Sequence, residues 1–389
     1  MIIIKFFKYS FLYFLYFPIV DNAFRKSVIN ILKFKLLYEK QNNIAFYDSS
    51  PSHYGFSSLL INKYTIDERV VLFAGDISHP AFKTSSENLV VLYLDRKFKI
   101  LFLLLNIPIM ITFSSGFPKV FKPRSMHLIH LFHSIVSINY TYDNGSFDAY
   151  DTIFAVGPHH LKELKNMAKI RNWENKNYVS VGYPKIEYLV NLDKTKLVEE
   201  EKVTILFAPT WGNHNVLKLY GIEIIDCVLA LGYKIIVRPH PLSFINDIET
   251  IEKIKQTAEE NINCDLENSN FSSMSSYLKS DLMISDWSGA AYEYAFSLLK
   301  PVLFVEAPMK INNSSQIEKS DLPMEFICRE RIGEVTNMND FEYNLQKIIN
   351  EENFTDRIKL VREDYIFNPN NSIDIAVNEI NKVRLKYQN

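Results

Sequence analysis

The sequence has few of the residues that build a disulfide framework or a zinc site. Its three cysteines, Cys227, Cys264 and Cys328, are far apart and form no CxxC pair. Neither kind of site is therefore expected, and reduced thiols in a cytosolic setting fit better. Nine histidines are present, but the sequence contains neither an HExxH motif nor a series of closely spaced Cys and His residues that would bind a metal ion.

A strong net charge and a long apolar segment are also missing. The formal net charge is −2, which gives no reason to expect a nucleic-acid partner. The uncharged stretch 9–20 is shorter than the ~20 apolar residues that span a bilayer, and it lacks the cleavage site of a secretory signal. Lys5 and Lys8 precede it and further basic residues follow, a pattern that suits a helix lying at a membrane surface. A first helix packed on the protein itself explains residues 1–40 equally well.

What the sequence does have is a repeated alternation of short apolar runs with helices. Six runs look like buried strands between residues 43 and 157: NIAFYD, RVVLFAG, LVVLYLD, PIMITFSS, MHLIHLFHS and DTIFAVG. After a charged interval at 191–203, the strands TILFAPT, KIIVRPH, DLMISD and PVLFVE follow, with helices between them. Runs rich in Val, Ile and Leu indicate parallel sheets covered on both faces.

The chain is too long for one ordinary core. We therefore predict an α/β protein with two Rossmann-like domains that face a cleft. The first domain covers residues 41–190 and the second covers 203–345, while residues 346–389 add helices.

Ligands of open α/β sheets bind beyond the carboxyl ends of the strands, so the candidate site residues follow each strand. Ser285, Asp286, Ser288 and Gly289 stand where the strand DLMIS passes into a helix, whose N-terminus attracts phosphate. Glu293 lies one turn further on, where a carboxylate suits a ribose diol. Ordinary capping of the helix by Asp and Ser explains the same residues.

Two more strands of the second domain end in polar loops. Arg238, Pro239 and His240 follow the strand KIIV, and the prolines on both sides of His240 fix the loop. An arginine in this place suits a bidentate contact with phosphate. Thr210 follows the strand TILF. Together these loops predict a phosphate-binding edge of the second sheet.

In the first domain, His133 stands at the exit of the strand MHLIHL. A histidine near its ordinary pKa of ~6.5 accepts a proton from an attacking hydroxyl at neutral pH. Lys185, in the segment GYPKIEYL, adds a positive charge at the cleft.

In their order along the chain, the pieces FHS, FDAYDTIFAVGPHHLKELK, VGYPKIEYL, ILFAPTWG, VRPHP and SDLMISDWSGAAYEYAFSLLKPVLFVE resemble the CDP-glycerol glycerophosphotransferase family. That family builds glycerol- or ribitol-phosphate polymers such as wall teichoic acids and capsules. The resemblance implies a GT-B-like fold, a CDP-polyol donor held mainly by the second domain, and displacement at phosphorus with release of CMP. With the N-terminal pattern, it favours a lipid-linked or polysaccharide acceptor at the cytoplasmic face of the cell membrane. Because the sequence shows no metal-binding pattern, no cofactor or metal is expected besides the donor.

The resemblance also implies roles for single residues. His133 matches the histidine proposed as the base for the acceptor hydroxyl, and Arg238 and His240 match a motif near the donor phosphates. The chain departs from the family pattern in three ways. Trp-His-Gly is replaced by Phe132-His133-Ser134, the basic residues that usually follow this motif are missing, and the second serine of the phosphate segment is Gly289.

Two other functions stay open at this point. A GT-B glycosyltransferase that uses a CMP- or UDP-sugar carries similar His-Pro and Ser-rich loops. A non-catalytic subunit of a polymer biosynthesis complex is compatible with the altered residues around His133.

Overall fold

A computed structural model describes residues 21–41, 43–192, 202–267, 275–309, 322–351 and 353–387. The segment 1–20, for which a membrane-surface helix is one interpretation, lies outside these residues. Most of the charged interval between the two expected domains lies outside them as well.

The N-terminal half forms a parallel sheet of seven strands in the order β3-β2-β1-β4-β5-β6-β7. The first six coincide with the six predicted runs, and the edge strand β7 was not predicted. The strands are β1 (Ile44–Asp48), β2 (Val70–Ala74), β3 (Leu89–Tyr93), β4 (Ile109–Thr112), β5 (His127–Leu131), β6 (Thr152–Ala155) and β7 (Asn177–Ser180).

The C-terminal half forms a second parallel sheet of six strands in the order β10-β9-β8-β11-β12-β13. The inner four strands were predicted, whereas the two edge strands β10 and β13 were not. The strands are β8 (Thr204–Phe207), β9 (Lys234–Val237), β10 (Cys264–Leu266), β11 (Leu282–Ser285), β12 (Val302–Val305) and β13 (Gly333–Thr336).

Helices connect the strands, as a parallel sheet requires. Within the described residues the α-helices are α1 (Asn22–Leu37), α2 (Tyr54–Thr65), α3 (Ile138–Thr141), α4 (Pro158–Arg171), α5 (Pro184–Val190), α6 (Val216–Ala230), α7 (Ser243–Asn246), α8 (Ile248–Glu260), α9 (Ser275–Lys279), α10 (Gly289–Leu298), α11 (Met324–Ile332), α12 (Phe341–Ile349), α13 (Phe354–Tyr365) and α14 (Ser372–Leu385). Short 3-10 helices cover Pro51–His53, Pro80–Lys83, Arg96–Leu104 and Lys119–Phe121. Strands such as β1, β8 and β11 are buried along their whole length, which is the burial expected of a sheet covered on both faces.

The chain ends by crossing back to the first domain. The backbone at residues 365–367 passes so close to Gly157 that an added Cβ would lie 1.7 Å from the carbonyl oxygen of Tyr365, so only glycine fits there. The last helix, α14, then packs on the first domain, where the Ser372 hydroxyl donates to Glu187 at 2.7 Å. The C-terminal helices therefore belong to both halves of the molecule.

The helix α1 packs on the first domain through Ser27, Ile31 and Phe34, which are buried. The interpretation of a first helix packed on the protein therefore holds for residues 22–37. In the part of the chain that the structure describes, no helix is both long enough and apolar enough to cross a bilayer.

Candidate functional site

His133 lies in the loop that leaves β5, as the sequence predicts. Its Nδ1 lies 2.6 Å from the carbonyl oxygen of Phe113. Because a carbonyl only accepts hydrogen bonds, Nδ1 carries the ring hydrogen and Nε2 keeps a lone pair. Burial, followed by the neighbouring ring of His53, lowers the pKa of His133 to about 3. The imidazole is therefore neutral and keeps a lone pair on Nε2, but it is a weaker base than the histidine near its ordinary pKa that the sequence analysis expects.

A second histidine, which the sequence analysis missed, stacks on His133. The ring centroids of His53 and His133 are 4.1 Å apart with an interplanar angle of 22°. His53 Nδ1 lies 3.1 Å from Oδ1 of Asp48, a buried carboxylate at the end of β1. The other oxygen of Asp48 accepts from Ser57 at 2.6 Å and faces His79 Nε2 at 3.4 Å.

The carboxylate of Asp48 stays charged in this setting. Burial by itself raises its pKa, but the hydrogen bonds from His53 and His79 outweigh burial and leave the pKa below its ordinary value. The sequence contains a signal for this group, since the mostly polar stretch from Asp48 to His53 directly follows the first strand. Ligands of open α/β sheets bind beyond the carboxyl ends of the strands, so this stretch could have been included among the candidate site residues.

The two stacked histidines line a small cavity at the cleft. Its volume is about 70 Å³, and its walls are Ser52, His53, Phe56, His133, Tyr183 and Lys185. Lys185 thus lies where the sequence places a positive charge. The hydroxyl of Tyr183 lies 2.8 Å from the carbonyl oxygen of His133, which fixes the loop that carries this histidine.

The phosphate loop predicted in the second domain meets the His133 loop directly. Ser288 caps helix α10, and its hydroxyl accepts from the backbone N–H of Ala290 at 3.3 Å. An ideal Cβ on Gly289 would lie 3.2 Å from Oγ of Ser134 and 3.3 Å from a methyl group of Val136. The glycine therefore lets the loop that carries His133 and Ser134 approach the N-terminus of α10.

Ser285 and Asp286 serve the architecture of this loop, which corrects their assignment to donor binding and agrees with the alternative that Asp286 orients a loop. Both are fully buried. Ser285 donates to the carbonyl oxygen of Ala208 at 2.8 Å. Asp286 accepts from the backbone N–H of Thr210 at 2.7 Å and of Val216 at 3.1 Å. Burial raises the pKa of Asp286 although these two hydrogen bonds oppose it.

Asp286 therefore holds the loop after β8, including Thr210, in place beside α10. Thr210 itself is half-buried at the exit of β8, on the edge where it was expected. The backbone N–H of Thr210 already donates to Asp286, so a hydrogen bond donated to a ligand must come from the Thr210 hydroxyl.

Glu293 is engaged between the domains, which corrects its expected role as a ribose ligand. Its side chain is 9% exposed and one oxygen lies 2.6 Å from Lys185 Nζ. The other oxygen lies 2.7 Å from the hydroxyl of Tyr183, and the hydroxyl of Tyr277 is 3.4 Å from the carboxylate. Both carboxylate oxygens thus bind protein groups.

Arg238, Pro239 and His240 lie on the same edge of the second sheet as Ser288, because β9 and β11 are both parallel neighbours of β8. The guanidinium of Arg238 lies over the ring of Tyr277, 4.9 Å from its centroid, and donates to Ser276 at 3.3 Å. Pro239 is buried. The two loops that the sequence pairs as a phosphate site are therefore brought to one rim.

His240 has the opposite hydrogen arrangement to His133. Its Nδ1 accepts from the backbone N–H of Leu242 at 3.1 Å, so the ring hydrogen of the neutral form lies on Nε2. Its ring centroid is 5.7 Å from that of Trp211 in the neighbouring loop. His240 thus offers an N–H group and His133 offers a lone pair. Among the described residues, no group of three or more His, Cys, Asp or Glu side chains is arranged to hold a metal ion.

Solved structures share this two-domain architecture. The wall teichoic acid polymerase TagF aligns with a TM-score of 0.61 at 16% identity, over 96% of this chain and 100% of that one. UDP-GlcNAc 2-epimerase from Neisseria meningitidis aligns with a TM-score of 0.56 at 11% identity, over 87% and 99% of the two chains. MurG from Acinetobacter baumannii reaches a TM-score of 0.51 at 11% identity, with the same coverage of 87% and 99%. These likenesses show a GT-B-like fold, as predicted.

No curated protein matches the chain in sequence. A family model does match, and it covers residues 94–311, which include β5, β8, β9 and β11 with their exit loops. The match spans more than half of the chain. The protein therefore belongs to the CDP-glycerol:poly(glycerophosphate) glycerophosphotransferase family and is a transferase that uses CDP-glycerol as donor.

Proposed function

We propose that the enzyme binds CDP-glycerol, or a closely related CDP-polyol, in the cleft and transfers the polyol phosphate to a hydroxyl of a surface-polysaccharide or teichoic-acid-like acceptor. The observation that carries this proposal is the contact of Ser134 with Gly289. This contact brings the loop that carries His133, a neutral histidine with a lone pair, against the N-terminus of α10, which favours a bound diphosphate.

The reaction is a displacement at phosphorus. The acceptor oxygen forms a bond to the phosphorus that carries the glycerol, and the bond from that phosphorus to the oxygen of CMP breaks. The acceptor proton passes to Nε2 of His133, and CMP leaves with the electron pair of the broken bond. Positioning and stabilisation of charge dominate such reactions.

The second domain supplies the groups that stabilise this charge. The positive N-terminus of α10, the hydroxyl of Ser288 and the guanidinium of Arg238 lie at the shared rim. His240 adds its Nε2–H, and a hydrogen bond to the departing CMP oxygen makes it the second catalytic residue. Pro239 and Thr210 shape the two neighbouring loops. Arg238 donates to Ser276 and lies 3.8 Å from a carboxylate oxygen of Glu267, and it exchanges these contacts for the diphosphate.

Release of CMP from CDP-glycerol tests this proposal. The purified enzyme is incubated with CDP-glycerol and a lipid-linked glycerol-phosphate acceptor, and CMP is measured by chromatography. We expect His133→Gln to lose about a hundredfold or more in rate, the usual contribution of general base catalysis. His127→Gln, at the start of the same strand, is the matched control and is expected to keep its activity. Equal rates for His133→Gln and wild type would remove His133 from the mechanism.

We place this activity at the cytoplasmic face of the cell membrane, where a lipid-linked acceptor lies. The outer face of α1 supports this placement, since Ile29, Leu32 and Leu36 are 55%, 42% and 82% exposed. Ile100 and Leu103 are 49% and 48% exposed on the segment 96–104, which packs against α1.

Basic side chains surround these apolar residues. Lys26 and Lys33 of α1 and Lys97 of the neighbouring segment are all exposed. Apolar groups among lysines suit insertion into the interface of an anionic membrane. The aromatic and basic composition of residues 1–20 continues the same pattern in sequence.

A further inference from the structure

We propose that His53 is a second acceptor-binding residue, which accepts a hydrogen bond from the hydroxyl next to the reacting one in an acceptor that ends in two adjacent hydroxyls, a 1,2-diol. The proposal rests on the proposed function, which it deepens by naming a residue that recognises the acceptor end.

The two histidines present the same hydrogen-bonding group to the same cavity. The Nδ1 of His53 faces the Asp48 carboxylate at 3.1 Å, and the Nδ1 of His133 faces the Phe113 carbonyl at 2.6 Å. Both partners only accept hydrogen bonds, so both rings carry their hydrogen on Nδ1. In the neutral form of each ring, Nε2 is then an acceptor, and within the described residues neither one has a hydrogen-bond partner.

Two acceptor nitrogens side by side match two hydroxyl donors. The ring centroids are 4.1 Å apart, and the hydroxyl oxygens of a 1,2-diol are separated by roughly one hydrogen-bond length. A diol can therefore donate one hydrogen bond to each ring. An acceptor with a single hydroxyl leaves one nitrogen without a partner in a partly dry cavity, which costs binding energy.

The surrounding residues hold His53 in this arrangement. Asp48 is fully buried and is itself bound by Ser57 at 2.6 Å. His79 lies against the second oxygen of the same carboxylate at 3.4 Å, and its Nδ1 accepts from the backbone N–H of Ala81. The carboxylate thus has a fixed position from which it orients His53, as a carboxylate does for the histidine of a catalytic triad.

The cavity also has a suitable size and lining. Its volume of about 70 Å³ accommodates a short polyol end. The rings of Phe56 and Tyr183 form apolar walls for the carbon atoms. A hydroxyl bound to His133 is the one that reacts, and its neighbour bound to His53 sets the orientation.

The test compares two acceptors that differ by one hydroxyl. They are the octyl phosphodiester of glycerol, which ends in a 1,2-diol, and the octyl phosphodiester of propane-1,3-diol, which ends in a single hydroxyl. CMP release from CDP-glycerol gives kcat/KM for each. We expect kcat/KM of the wild type to be about tenfold or more higher for the diol, which corresponds to the free energy of one good hydrogen bond. His53→Phe keeps a ring stacked on His133 but removes both nitrogens, and we expect its preference to fall to about twofold or less.

The control is His127→Gln at the start of β5, which contacts Thr152 and does not line the cavity, and it is expected to keep the preference for the diol. Melting temperatures of all variants report folding. If His53→Phe slows both acceptors by the same factor, or if wild type does not distinguish them, the proposal is wrong. If wild type releases no CMP with either acceptor or with the lipid-linked acceptor, the proposed function fails first and the assignment of His53 fails with it.

Discussion

The ammonium group of Lys185 lies 2.6 Å from the carboxylate of Glu293, and this ion pair joins the two domains across the cleft. Lys185 is in the first turn of α5, and Glu293 is buried in α10. The hydroxyl of Tyr183 contacts the same carboxylate and also the backbone of His133. The pair therefore sets the distance between the proton-accepting loop and the phosphate loop.

Removal of Lys185 alone should destabilise the protein. Lys185→Met leaves the carboxylate of Glu293 buried without its cation, which typically costs about 3 kcal/mol in the free energy of unfolding. The double variant Lys185→Met/Glu293→Gln removes both charges and should recover most of this loss. Urea denaturation of the single and double variants measures the difference. Equal stability of Lys185→Met and wild type would show that the ion pair does not hold the interface.

The same double variant tests the role of Glu293 towards the donor. Because both carboxylate oxygens bind protein groups, we expect the KM for CDP-glycerol to change less than about threefold, since no hydrogen bond to the ribose is lost. A rise in KM of about tenfold or more would show that Glu293 does bind the ribose, as the sequence suggests.

Ser134 and Gly289 should behave as a pair, since the space beside Gly289 is filled by the Ser134 hydroxyl. Gly289→Ser forces a side chain against Ser134 and Val136, and overpacking of this kind typically costs about 1–3 kcal/mol. We expect kcat/KM for CDP-glycerol to fall about tenfold or more as the loops separate. Ser134→Gly alone should have a small effect, and Ser134→Gly/Gly289→Ser should recover most of the activity. A double variant as slow as Gly289→Ser would contradict this.

Glu325 should make stability depend on pH. Its carboxylate in α11 accepts from the backbone N–H of Ser137 in the first domain, with both oxygens at 3.1 Å. Burial raises its pKa from 4.5 to about 7. The folded protein therefore holds this proton more tightly than the unfolded chain does. The resulting stability is fully present below pH 4.5 and is lost as the pH rises through about 7.

We therefore expect the free energy of unfolding to fall between pH 5 and pH 7, more steeply in wild type than in Glu325→Gln, by about 1 kcal/mol per pH unit. Urea denaturation at several pH values measures both slopes, and subtraction of the variant removes the contribution of other titrating groups. Parallel slopes for the two proteins would show that Glu325 is already ionised when the protein is folded.

Binding to an anionic membrane should depend on the outer face of α1. Leu32→Glu/Leu36→Glu places two negative charges on this face, and we expect a loss of about tenfold or more in partitioning to vesicles that contain phosphatidylglycerol. Leu360→Glu on α13 is the control, since Leu360 is equally apolar and 64% exposed elsewhere on the protein. Deletion of residues 1–20 should weaken binding further. Unchanged sedimentation of the double variant with the vesicles would locate the membrane contact elsewhere.

Most of the fold could be predicted because inner strands of a parallel sheet are short continuous apolar runs. The three strands that were missed, β7, β10 and β13, all lie at sheet edges. An edge strand has a neighbour on one side only and tolerates polar residues, as Asn177 and Ser180 of β7 show. The strand β10 has only three residues, too few for any periodicity to indicate a strand.

The candidate site could be predicted in part. The expectation that ligand-binding residues follow the carboxyl ends of the strands led to a correct location for five residues. The structure brings these five to the two facing rims of the cleft: His133, Arg238, His240, Ser288 and Gly289. This expectation could not distinguish a side chain that faces the cleft from one that turns inward, which is why Ser285, Asp286 and Glu293 received ligand roles.

His53 was missed for a different reason. Its partner His133 is 80 residues away in sequence, and only the pairing of β1 with β4 and of β4 with β5 brings them together. Such a contact depends on strand order, which a single sequence does not reveal.

The most direct test is a crystal structure of the full chain, as the His133→Gln variant that turns over slowly, soaked with CDP-glycerol. The account predicts that the diphosphate lies within hydrogen-bond distance of Ser288 and the backbone N–H groups at the start of α10, with Arg238 turned towards it and the glycerol end facing residue 133. A diphosphate bound away from α10, or a glycerol end that points out of the cleft, would contradict it.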